Sequence, residues 1–350
     1  MILIAGAGAI GASIAYRLAL RGAGDVVLCD RGAIAGGSTA KAMGGVRQQF
    51  STAAEVRLAQ ESIAFFAELG PPFFEQVGYL FLATTEAGLA ELEERRALQA
   101  GLGVPVELVD ASFVPGLETR DVLGAAFCAE DGVADPAATA RELVRRSVEL
   151  GVDLREGTDA ADLMDGADTL VIACGPWSAA LSARAGVELP VRPLCRQLLA
   201  TEPLAGLAGS LPMVVEAETG FHFRRRGDRI VLAMADAEPR WGFETAVDES
   251  VFADRFERLV HRFPGARATR IGDAWAGLYD MTPDAHPIIG RVADGVYAAC
   301  GFSGHGFMQS PAVGEAVAAE LFGDESRLDL SPYRLERFAG EASFPEQLIL

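Results

Sequence analysis

Lysine is almost missing from this chain. Only one of its 30 basic residues is a lysine, Lys41, and the rest are arginines. A mechanism that needs an ammonium group therefore has a single candidate side chain. Acidic residues number 49, so the formal net charge is −19. Nucleic acid and anionic membrane surfaces repel such a chain, and we exclude both as partners.

Paired cysteines and long apolar runs are missing as well. The five cysteines are scattered, without a CxxC pair or zinc-like spacing, so we predict reduced, buried cysteines and no metal site. The apolar start of the chain has no basic residues before it and is interrupted by glycines, so we expect neither a signal peptide nor a membrane span. We expect a cytoplasmic protein. Because half of the residues are hydrophobic, the chain is not disordered, and its length favours two domains.

The first residues show a dinucleotide-binding pattern. An apolar run at 2–5 precedes a GxGxxG motif that begins at Gly6, and a helical pattern then leads to a second apolar run ending at Asp30. Asp30 comes about 20 residues after the last glycine, Gly11, as this fold requires. Gly6 permits the tight turn, Gly8 lets the backbone approach a pyrophosphate, and Gly11 lets the helix pack on the strand. Helix N–H groups attract the phosphates, and Asp30 can accept hydrogen bonds from a ribose.

The sequence after this unit does not continue as in a nicotinamide-dependent enzyme. A Gly/Ser/Thr-rich segment at 35–50 leads to a predicted helix at 52–69 and an apolar run at 78–83, typical of an antiparallel strand. Asp135 followed by Pro136 predicts another helix N-terminus. Two discontinuous domains explain this order. We predict a dinucleotide-binding domain at 1–77, 136–188 and 271–323, a substrate domain at 78–135 and 189–270, and a C-terminal tail at 324–350.

With these patterns the chain resembles the D-amino-acid oxidase superfamily of FAD-dependent oxidoreductases. It is most similar to the branch that contains sarcosine oxidase, glycine oxidase and the β subunit of proline dehydrogenase complexes. The resemblance implies an α/β fold in which a Rossmann-like FAD-binding domain of the glutathione-reductase type joins a discontinuous antiparallel-sheet α+β substrate domain. It also implies bound FAD between the two domains. Five segments carry it: GAGAIGASIAYRLALRG with Asp30, GGSTAKAMGGVRQQFST, TLVIACGPWS, WAGLYDMTPDAHPIIG and GFSGHGFMQSPAVGEAVAAEL.

The resemblance assigns roles by position. Asp30 and Arg31 are expected to hold the adenosine ribose, and the turn that contains His305 is expected to cradle the flavin ring. Arg47, Tyr279, His305 and His222 are the candidate catalytic residues. The other residues expected to contact FAD are Gly6, Gly8, Ala9, Ile10, Gly11, Ser38, Thr39, Gly44, Gly45, Ala173, Gly175, Trp177, Gly277, Gly301, Gly304, Gly306, Phe307 and Met308.

Departures from the family pattern are equally informative. Gly277 occupies the place where the sarcosine oxidases carry a flavin-bonded cysteine, so we predict non-covalent FAD. Met308 and Val231 stand where those oxidases place lysines for the substrate carboxylate and for the reaction with oxygen. Tyr279 stands at the position of a substrate-binding arginine of glycine oxidase. The connection at 155–169 is short where the family usually carries a β-hairpin, so the cofactor domain is trimmed.

Without those lysines, an arginine is the best candidate to bind a substrate carboxylate, because its planar fork matches the two oxygens. Arg47 is such a candidate, and a structural or flavin-binding role for it is equally consistent with the sequence. Arg224 could project from the substrate-domain sheet. For at least two of Arg224, Arg225 and Arg226 we favour a solvated hairpin end.

The four histidines fall into different settings. His305 lies within the flavin-binding turn. Alternation places His222 on the face opposite its two phenylalanine neighbours, which is either the pocket or solvent. His286 is expected in a turn and His261 on the surface at a helix end.

The predicted activity is oxidation of a C–N bond. A neutral amino acid or secondary amine transfers a hydride from its α-carbon to flavin N5, and the resulting imine hydrolyses. Oxygen, a carrier or a partner subunit would accept the electrons, so the chain could be the flavin subunit of a hetero-oligomeric dehydrogenase. The alternatives are an assembly flavoprotein with structural FAD, a NAD(P)-dependent dehydrogenase and, least favoured, an FAD-dependent hydroxylase.

Overall fold

The computed structural model describes residues 1–340 and residue 346. The strands of this part of the chain are β1 (Ile2–Ala5), β2 (Val26–Asp30), β3 (Gly45–Val46), β4 (Phe74–Glu75), β5 (Tyr79–Ala83), β6 (Val106–Val109), β7 (Gly124–Cys128), β8 (Gly132–Ala134), β9 (Asp153–Glu156), β10 (Thr169–Ile172), β11 (Arg192–Thr201), β12 (Met213–Glu216), β13 (His222–Arg226), β14 (Arg229–Ala233), β15 (Arg240–Trp241), β16 (Ile271–Met281), β17 (Ile288–Ala293) and β18 (Val296–Cys300). The α-helices are α1 (Ala9–Leu20), α2 (Ser38–Lys41), α3 (Ala53–Leu69), α4 (Glu86–Gly101), α5 (Pro136–Glu149), α6 (Ser178–Arg184), α7 (Phe252–Arg262) and α8 (Gly306–Phe322).

The first sheet has six strands in the order β17-β18-β10-β1-β2-β9. All neighbours are parallel except β17 and β18, which form an antiparallel pair. Successive side chains point to opposite faces, so Ile4 and Val171 join the hydrophobic cluster that includes α1, α5 and α8, whereas Leu3 and Val27 join a second cluster. Burial on both faces explains why these strands are continuous apolar runs in the sequence.

Helix termini follow the sequence closely. The Asp135 carboxylate accepts a hydrogen bond from the Ala138 N–H at the start of α5, with Pro136 in the first turn, as predicted. Helix α1 crosses α8 at very short range, since a Cβ on Gly314 would lie 2.3 Å from Ser13 Oγ. This close crossing fixes the first turns of both helices relative to the six-stranded sheet.

The second sheet has nine strands in the order β15-β11-β14-β13-β12-β5-β7-β6, with β16 also paired to β11. Strand β5 is antiparallel to β7, as predicted, and parallel to β12, which was not predicted. Strand β16 pairs with β11 from Arg192 to Thr201, so residues 271–281, predicted within the dinucleotide-binding domain, belong to this second sheet. A small third sheet joins β3, β8 and β4.

Two connecting segments also bear on the site. Between β9 and β10 the structure shows short 3₁₀ turns, Ala160–Asp162 and Met164–Gly166, so the short connection predicted there is confirmed. Part of the predicted tail packs on the body, because Tyr333 is buried and Arg337 forms an ion pair with Asp284 at 2.7 Å. The rest of that tail, residues 341–345 and 347–350, lies outside the described residues. Within the described residues no helix is both long and apolar enough to cross a membrane.

Candidate cofactor and active site

A cavity of about 760 Å³ lies between the two large sheets. The carboxyl ends of β1, β2 and β10 form one part of its wall, and β5, β11, β13 and β16 contribute to the other. All the residues predicted to contact FAD except Gly11 and Gly301 line this cavity, and so do the candidate catalytic residues Arg47, Tyr279, His305 and His222. We refer to the part around Asp30 as the Asp30 end and to the part around Arg47 as the Arg47 end.

Backbone geometry shapes the Asp30 end. Gly6 has a φ of +103°, and a Cβ there would lie 2.4 Å from the Ala173 carbonyl oxygen, so only glycine fits. Gly8 begins α1 and has no side chain to cap it. The Ala9 N–H donates to Thr39 Oγ1 at 3.1 Å, and Gly8, Ala9 and Ile10 line the cavity at this helix N-terminus. The Asp30 carboxylate accepts hydrogen bonds from Ala7 N–H and Gly32 N–H, both at 2.8 Å. Each carboxylate oxygen keeps a lone pair for a further donor.

Gly11 and Gly301 have packing roles instead of lining the cavity. A Cβ on Gly11 would lie 1.8 Å from the Gly6 carbonyl oxygen, so Gly11 lets α1 approach the turn after β1. Gly301 has a φ of +77°, and a Cβ there would lie 2.4 Å from the Thr282 methyl group. Both glycines were predicted to contact the cofactor, and the structure places them behind the residues that line the cavity.

The turn between β18 and α8 closes the middle of the cavity. Ser303 and Gly304 have φ values of +51° and +95°, and α8 begins at Gly306 after His305, which provides no side-chain cap. The Asp280 carboxylate accepts a hydrogen bond from Gly301 N–H at 2.7 Å and holds this turn in place. Burial raises the pKa of Asp280 to about 6, and hydrogen bonds from the turn oppose that rise.

Arg47 is almost fully enclosed at the Arg47 end, with 1% of its surface exposed. Its Nη1 donates a hydrogen bond to the Gln49 carbonyl oxygen. The guanidinium carbon lies 4.0 Å from the centroid of the Phe50 ring and 5.8 Å from that of Phe81. These contacts hold a permanent positive charge in the cavity wall.

Asp131 holds the segment that carries Arg47. Its carboxylate accepts hydrogen bonds from the Gln48 backbone N–H, at 2.9 Å, and from the side-chain amide of Gln49, at 3.1 Å. Burial raises the pKa of Asp131 to about 6, against the effect of these hydrogen bonds. Asp131 was not predicted from the sequence, where it appears only as a turn residue between two short strands.

Two tyrosines lie beside Arg47. Burial raises the pKa of Tyr79 to about 12, and it also raises the pKa of Tyr279. The Arg196 guanidinium carbon lies 5.7 Å from the centroid of the Tyr279 ring, and its Nε is buried without a hydrogen-bond partner among the described residues. Tyr79 and Arg196 were missed in the sequence. The only local indication of Arg196 is that it interrupts the apolar run of β11.

Two histidines complete the Arg47 end. His222 is 4% exposed and lines the cavity, so the pocket orientation that the sequence left open is the one observed. Burial lowers the pKa of His222 to about 4, so its ring is neutral at physiological pH. Its Nδ1 lies 2.8 Å from the Gly220 carbonyl oxygen, which can only accept, so Nδ1 carries the proton and Nε2 is an acceptor. His305 packs edge-on against the Phe50 ring at 5.2 Å between centroids.

The remaining histidines differ from one another in burial. His261 has an exposed side chain, as predicted, and its Nε2 lies 3.1 Å from Asp121. His286 follows a turn, as predicted, but it is fully buried and its Nδ1 lies 2.8 Å from Glu55. His286 therefore belongs to the protein interior and not to the cavity.

The expectation of a solvated end for most of the 224–226 arginines is wrong. Arg224 is buried, and its Nε donates to the Met43 carbonyl oxygen at 2.7 Å. Arg226 donates to the Ala42 and Met43 carbonyl oxygens. Both side chains hold the glycine-rich segment before Arg47, and Arg224 does not line the cavity. A substrate-binding role for Arg224 is not supported by this position.

The positions that differ from the sarcosine oxidases are occupied as follows. Val231 is buried in a hydrophobic cluster of the second sheet, and Met308 lines the cavity. Gly277 also lines the cavity, and a Cβ there would lie 3.0 Å from the Cβ of Lys41. The single lysine of the chain is therefore in the cavity wall, where the sequence had assigned it no role.

These features fit an elongated dinucleotide with a flavin. The Asp30 end offers a carboxylate and a helix N-terminus, which suit a ribose and a pyrophosphate. The turn before α8 brings backbone N–H groups to the middle of the cavity. The apolar lining around it includes Phe307, Met308 and Leu198, as a planar ring requires.

Comparisons with known proteins agree with this fit. A family model described as FAD dependent oxidoreductase matches residues 1–320. Glycine oxidase of Geobacillus kaustophilus (strain HTA426) is 27% identical over 97% of this chain and 97% of that protein. Sarcosine oxidase subunit beta of an Arthrobacter species is 25% identical over 96% of this chain and 90% of that protein.

Solved structures show the same fold. The crystal structure of L-proline dehydrogenase from P. horikoshii matches with a TM-score of 0.88 at 27% identity and covers 97% of both chains. The predicted family resemblance and fold class are confirmed, and FAD is the cofactor of this family. The chain therefore belongs to the FAD-dependent oxidoreductase family whose model spans nearly its whole length.

Proposed function

We propose that this chain oxidises the C–N bond of a small amino acid or secondary amine. The observation that carries the proposal is the cationic Arg47 end in a protein of net charge −19. Arg47 and Arg196 are both close enough to the Tyr279 phenol to act against the rise that burial causes in its pKa. Relatives named glycine oxidase, sarcosine oxidase subunit beta and L-proline dehydrogenase support it, because each name denotes an amine that bears a carboxylate.

Arg47 is the proposed carboxylate anchor. A guanidinium held by Phe50 and by a backbone carbonyl is preorganised, so little side-chain entropy is lost when it binds an anion. The Tyr279 hydroxyl is protonated at neutral pH, since the ordinary pKa of tyrosine is about 10 and burial raises the pKa of Tyr279 further, and it can donate a second hydrogen bond. Arg196 supplies a further positive charge on the β11 side of the cavity.

The amine must reach the site without a proton on nitrogen, because only the lone pair can drive loss of a hydride from the α-carbon. His222 suits this requirement, since its neutral ring presents Nε2 as an acceptor for an amine proton. The carboxylate of Asp280 is bound to the turn at Gly301 and is not available as a base. Bound FAD supplies the hydride acceptor, and water hydrolyses the imine product.

Water exclusion is the other contribution of the protein. Phe307, Met308 and Met213 line the cavity with apolar surface. In such surroundings the charges of Arg47 and of a substrate carboxylate attract each other more strongly than in water. Orientation and electrostatics therefore account for the proposed catalysis without a strong general base.

Anaerobic bleaching of the flavin tests the proposal. The purified holoprotein is mixed without oxygen with a panel of amino acids and secondary amines, and absorbance of the oxidised flavin is followed. We expect at least one carboxylated amine to bleach it fully and the corresponding methyl ester to bleach it far more slowly. Bound flavin that no amine reduces would support a structural FAD instead.

The electron acceptor is a separate part of the proposal. We propose a dehydrogenase that passes electrons to a carrier or to a partner subunit, because Val231 stands where the sarcosine oxidases place the lysine for the reaction with oxygen. The relative named as a subunit, sarcosine oxidase subunit beta, supports a hetero-oligomer. Peroxide formation with the best substrate in air tests this part. Rapid, stoichiometric peroxide would show an oxidase, and Lys41→Met would then test whether the one lysine in the cavity wall promotes it.

A further inference from the structure

The segment between β14 and α7, residues 234–251, reaches from the second sheet toward the Asp30 end of the cavity. It carries two large aromatic side chains on the surface, Trp241 at 45% and Phe243 at 53% exposure. Their surroundings differ. The Arg192 guanidinium carbon lies 4.4 Å from the Trp241 ring, which is outside the cavity lining, whereas Phe243 contacts a residue that lines the cavity.

Phe243 stacks on Trp177. The two ring centroids are 6.0 Å apart with an interplanar angle of 25°. The Arg31 guanidinium carbon lies 5.6 Å from the Trp177 centroid, so Trp177 is contacted by both Phe243 and Arg31. Trp177 and Arg31 line the cavity beside Asp30, which is where the dinucleotide-binding pattern places an adenosine.

The segment is anchored well enough to hold Phe243 in place. Asp236 pairs with Arg240 at 3.1 Å and with Arg255 at 3.6 Å. The side-chain amide oxygen of Gln197, on β11, accepts a hydrogen bond from the Asp248 N–H at 2.9 Å. Val247 packs, together with Trp177, against a small hydrophobic cluster on β11 and β16. The second sheet therefore supports the position of the Trp177 ring.

The short connection between β9 and β10 leaves room for this contact. Only 3₁₀ turns follow β9, and from them Thr158 to Ala161 reach the cavity. Phe243 is half-exposed, and its stacking on Trp177 covers one face of the Trp177 ring. The segment at 234–251 thus reaches the cavity wall through the contact between Phe243 and Trp177.

We propose that Phe243 is a positioning residue for FAD, which holds the Trp177 ring in the cavity wall beside Asp30, where the adenosine half of the cofactor would bind. The inference rests on the placement of the adenosine at Asp30 in the proposed FAD site. It does not depend on which amine is oxidised. Loss of a stacked aromatic contact of this kind is expected to raise the rate of FAD release about 3- to 10-fold.

Release of FAD from the holoprotein tests the proposal. The protein is diluted, and the rise of free FAD fluorescence gives the release rate. We expect Phe243→Ala to release FAD about 3- to 10-fold faster than the wild type. Trp241→Ala is the matched control, since it removes an aromatic ring of similar exposure from the same segment. Its FAD release rate should stay within about 2-fold of the wild-type rate, as expected for substitution at an exposed site.

Two further measurements separate positioning from a general loosening of the fold. Phe243→Tyr keeps the stacked ring and should restore slow release. The far-UV circular dichroism spectrum at the assay temperature should be the same for Phe243→Ala, Trp241→Ala and the wild type; a thermal midpoint measured with FAD is not suitable, because weaker FAD binding itself lowers it. Equal release rates for the wild type and Phe243→Ala, or equal acceleration in Phe243→Ala and Trp241→Ala, would overturn the inference. No substrate is added, so failure here leaves the proposed amine oxidation untouched.

Discussion

The two ends of the cavity are built from different parts of the chain and by different forces. At the Asp30 end, backbone atoms of one short turn set the shape, and glycines at Gly6, Gly8 and Gly11 allow it. At the Arg47 end, side chains set the charge. These come from strands and loops that are far apart in the sequence: Arg47, Tyr79, Arg196, His222 and Tyr279.

This difference implies different sensitivities to substitution. The Asp30 end is limited by contacts between backbone atoms, which cannot move without disturbing β1, so an added methyl group is not tolerated. The Arg47 end is limited by burial of charged and polar groups, so its behaviour depends on charge and on pH. Substitutions at the two ends should therefore fail in distinguishable ways.

Gly11→Ala is expected to have the largest effect. The added Cβ would lie 1.8 Å from the Gly6 carbonyl oxygen, and relief requires a shift of α1 or of the turn. We expect a loss of about 3 kcal/mol in the free energy of unfolding, together with loss of bound FAD. Denaturant unfolding and the flavin-to-protein absorbance ratio measure the two effects.

Gly24→Ala is the control for that substitution, because no atom lies within 4 Å of the position of its Cβ. It should retain FAD and unfold like the wild type. If Gly11→Ala also retained FAD and stability, the Asp30 end would not be limited by steric contact, and the contrast between the two ends would disappear.

Arg47→Lys tests the charge of the other end. Lysine keeps the positive charge but loses the planar fork and the contact with the Phe50 ring. We expect kcat/KM for a carboxylated amine to fall about 50-fold, equivalent to about 2.3 kcal/mol, while the fold is retained. Steady-state kinetics with the amine and with its methyl ester measure this, since the ester should lose much less.

Arg225→Lys is the matched control, because Arg225 lies outside the cavity lining and donates a hydrogen bond to the Gly209 carbonyl oxygen at the surface. It should have wild-type kinetics. Unchanged substrate affinity and unchanged flavin binding in Arg47→Lys would reject the arginine-anchor proposal.

His222→Gln tests the effect of burial on titration. Burial lowers the pKa of His222 from 6.5 to about 4, so between these values the unfolded chain binds more protons than the folded one. Stability from this group is therefore present above pH 6.5 and is lost as the pH falls toward 4. Between pH 7 and pH 5, the wild type should lose about 2 kcal/mol more unfolding free energy than the variant.

The comparison between wild type and variant isolates the contribution of His222 to the pH dependence of the unfolding free energy. Asp131 and Asp280, each with its pKa raised to about 6 by burial, act in the same range with the opposite sign, since they destabilise the fold as the pH rises. Both carboxyls are present in the two proteins, so their contributions cancel. Equal losses of stability in the two proteins would show that the His222 ring is hydrated and not buried in solution.

The difference between the Asp30 end, built from one short stretch of chain, and the Arg47 end, built from distant strands, explains what the sequence could predict. The β1–α1–β2 unit was predicted correctly because glycine spacing, apolar runs and Asp30 lie within about 30 consecutive residues. Arg196 was missed because its place depends on strand pairing: it lies opposite Gly277 on β16, and nothing near it in the sequence states that register. Tyr79 was missed for a similar reason, since β5 is buried along its whole length and shows no alternation.

Errors in the sequence predictions also trace to long-range contacts. The run of three arginines that ends β13 was interpreted as a solvated hairpin end, yet Arg224 and Arg226 bind backbone carbonyls of residues 42–43. Residues 271–281 were predicted within the dinucleotide-binding domain, and in the structure β16 forms its hydrogen bonds with β11 of the second sheet. Local patterns predict elements and turns, and pairing between distant segments decides which site a side chain enters.

Gly277→Ala should have the smallest effect of these substitutions. It adds a methyl group at a glycine on the Arg47 side of the cavity, for comparison with Gly11→Ala at the Asp30 end. The added Cβ would lie 3.0 Å from Lys41 Cβ and 3.4 Å from Lys41 Cδ. Rotation of the flexible, half-buried Lys41 side chain moves its Cδ away. A shift of a few tenths of an ångström in the short helix α2 relieves the remaining contact with Lys41 Cβ, which is a smaller change than the 1.8 Å approach to the Gly6 carbonyl oxygen requires at Gly11. We expect a change below about 0.5 kcal/mol in unfolding free energy and wild-type FAD content, measured as for Gly11→Ala. A loss as large as that of Gly11→Ala would mean that both ends are limited by rigid contacts, and the distinction drawn between a backbone-built and a side-chain-built end would fail.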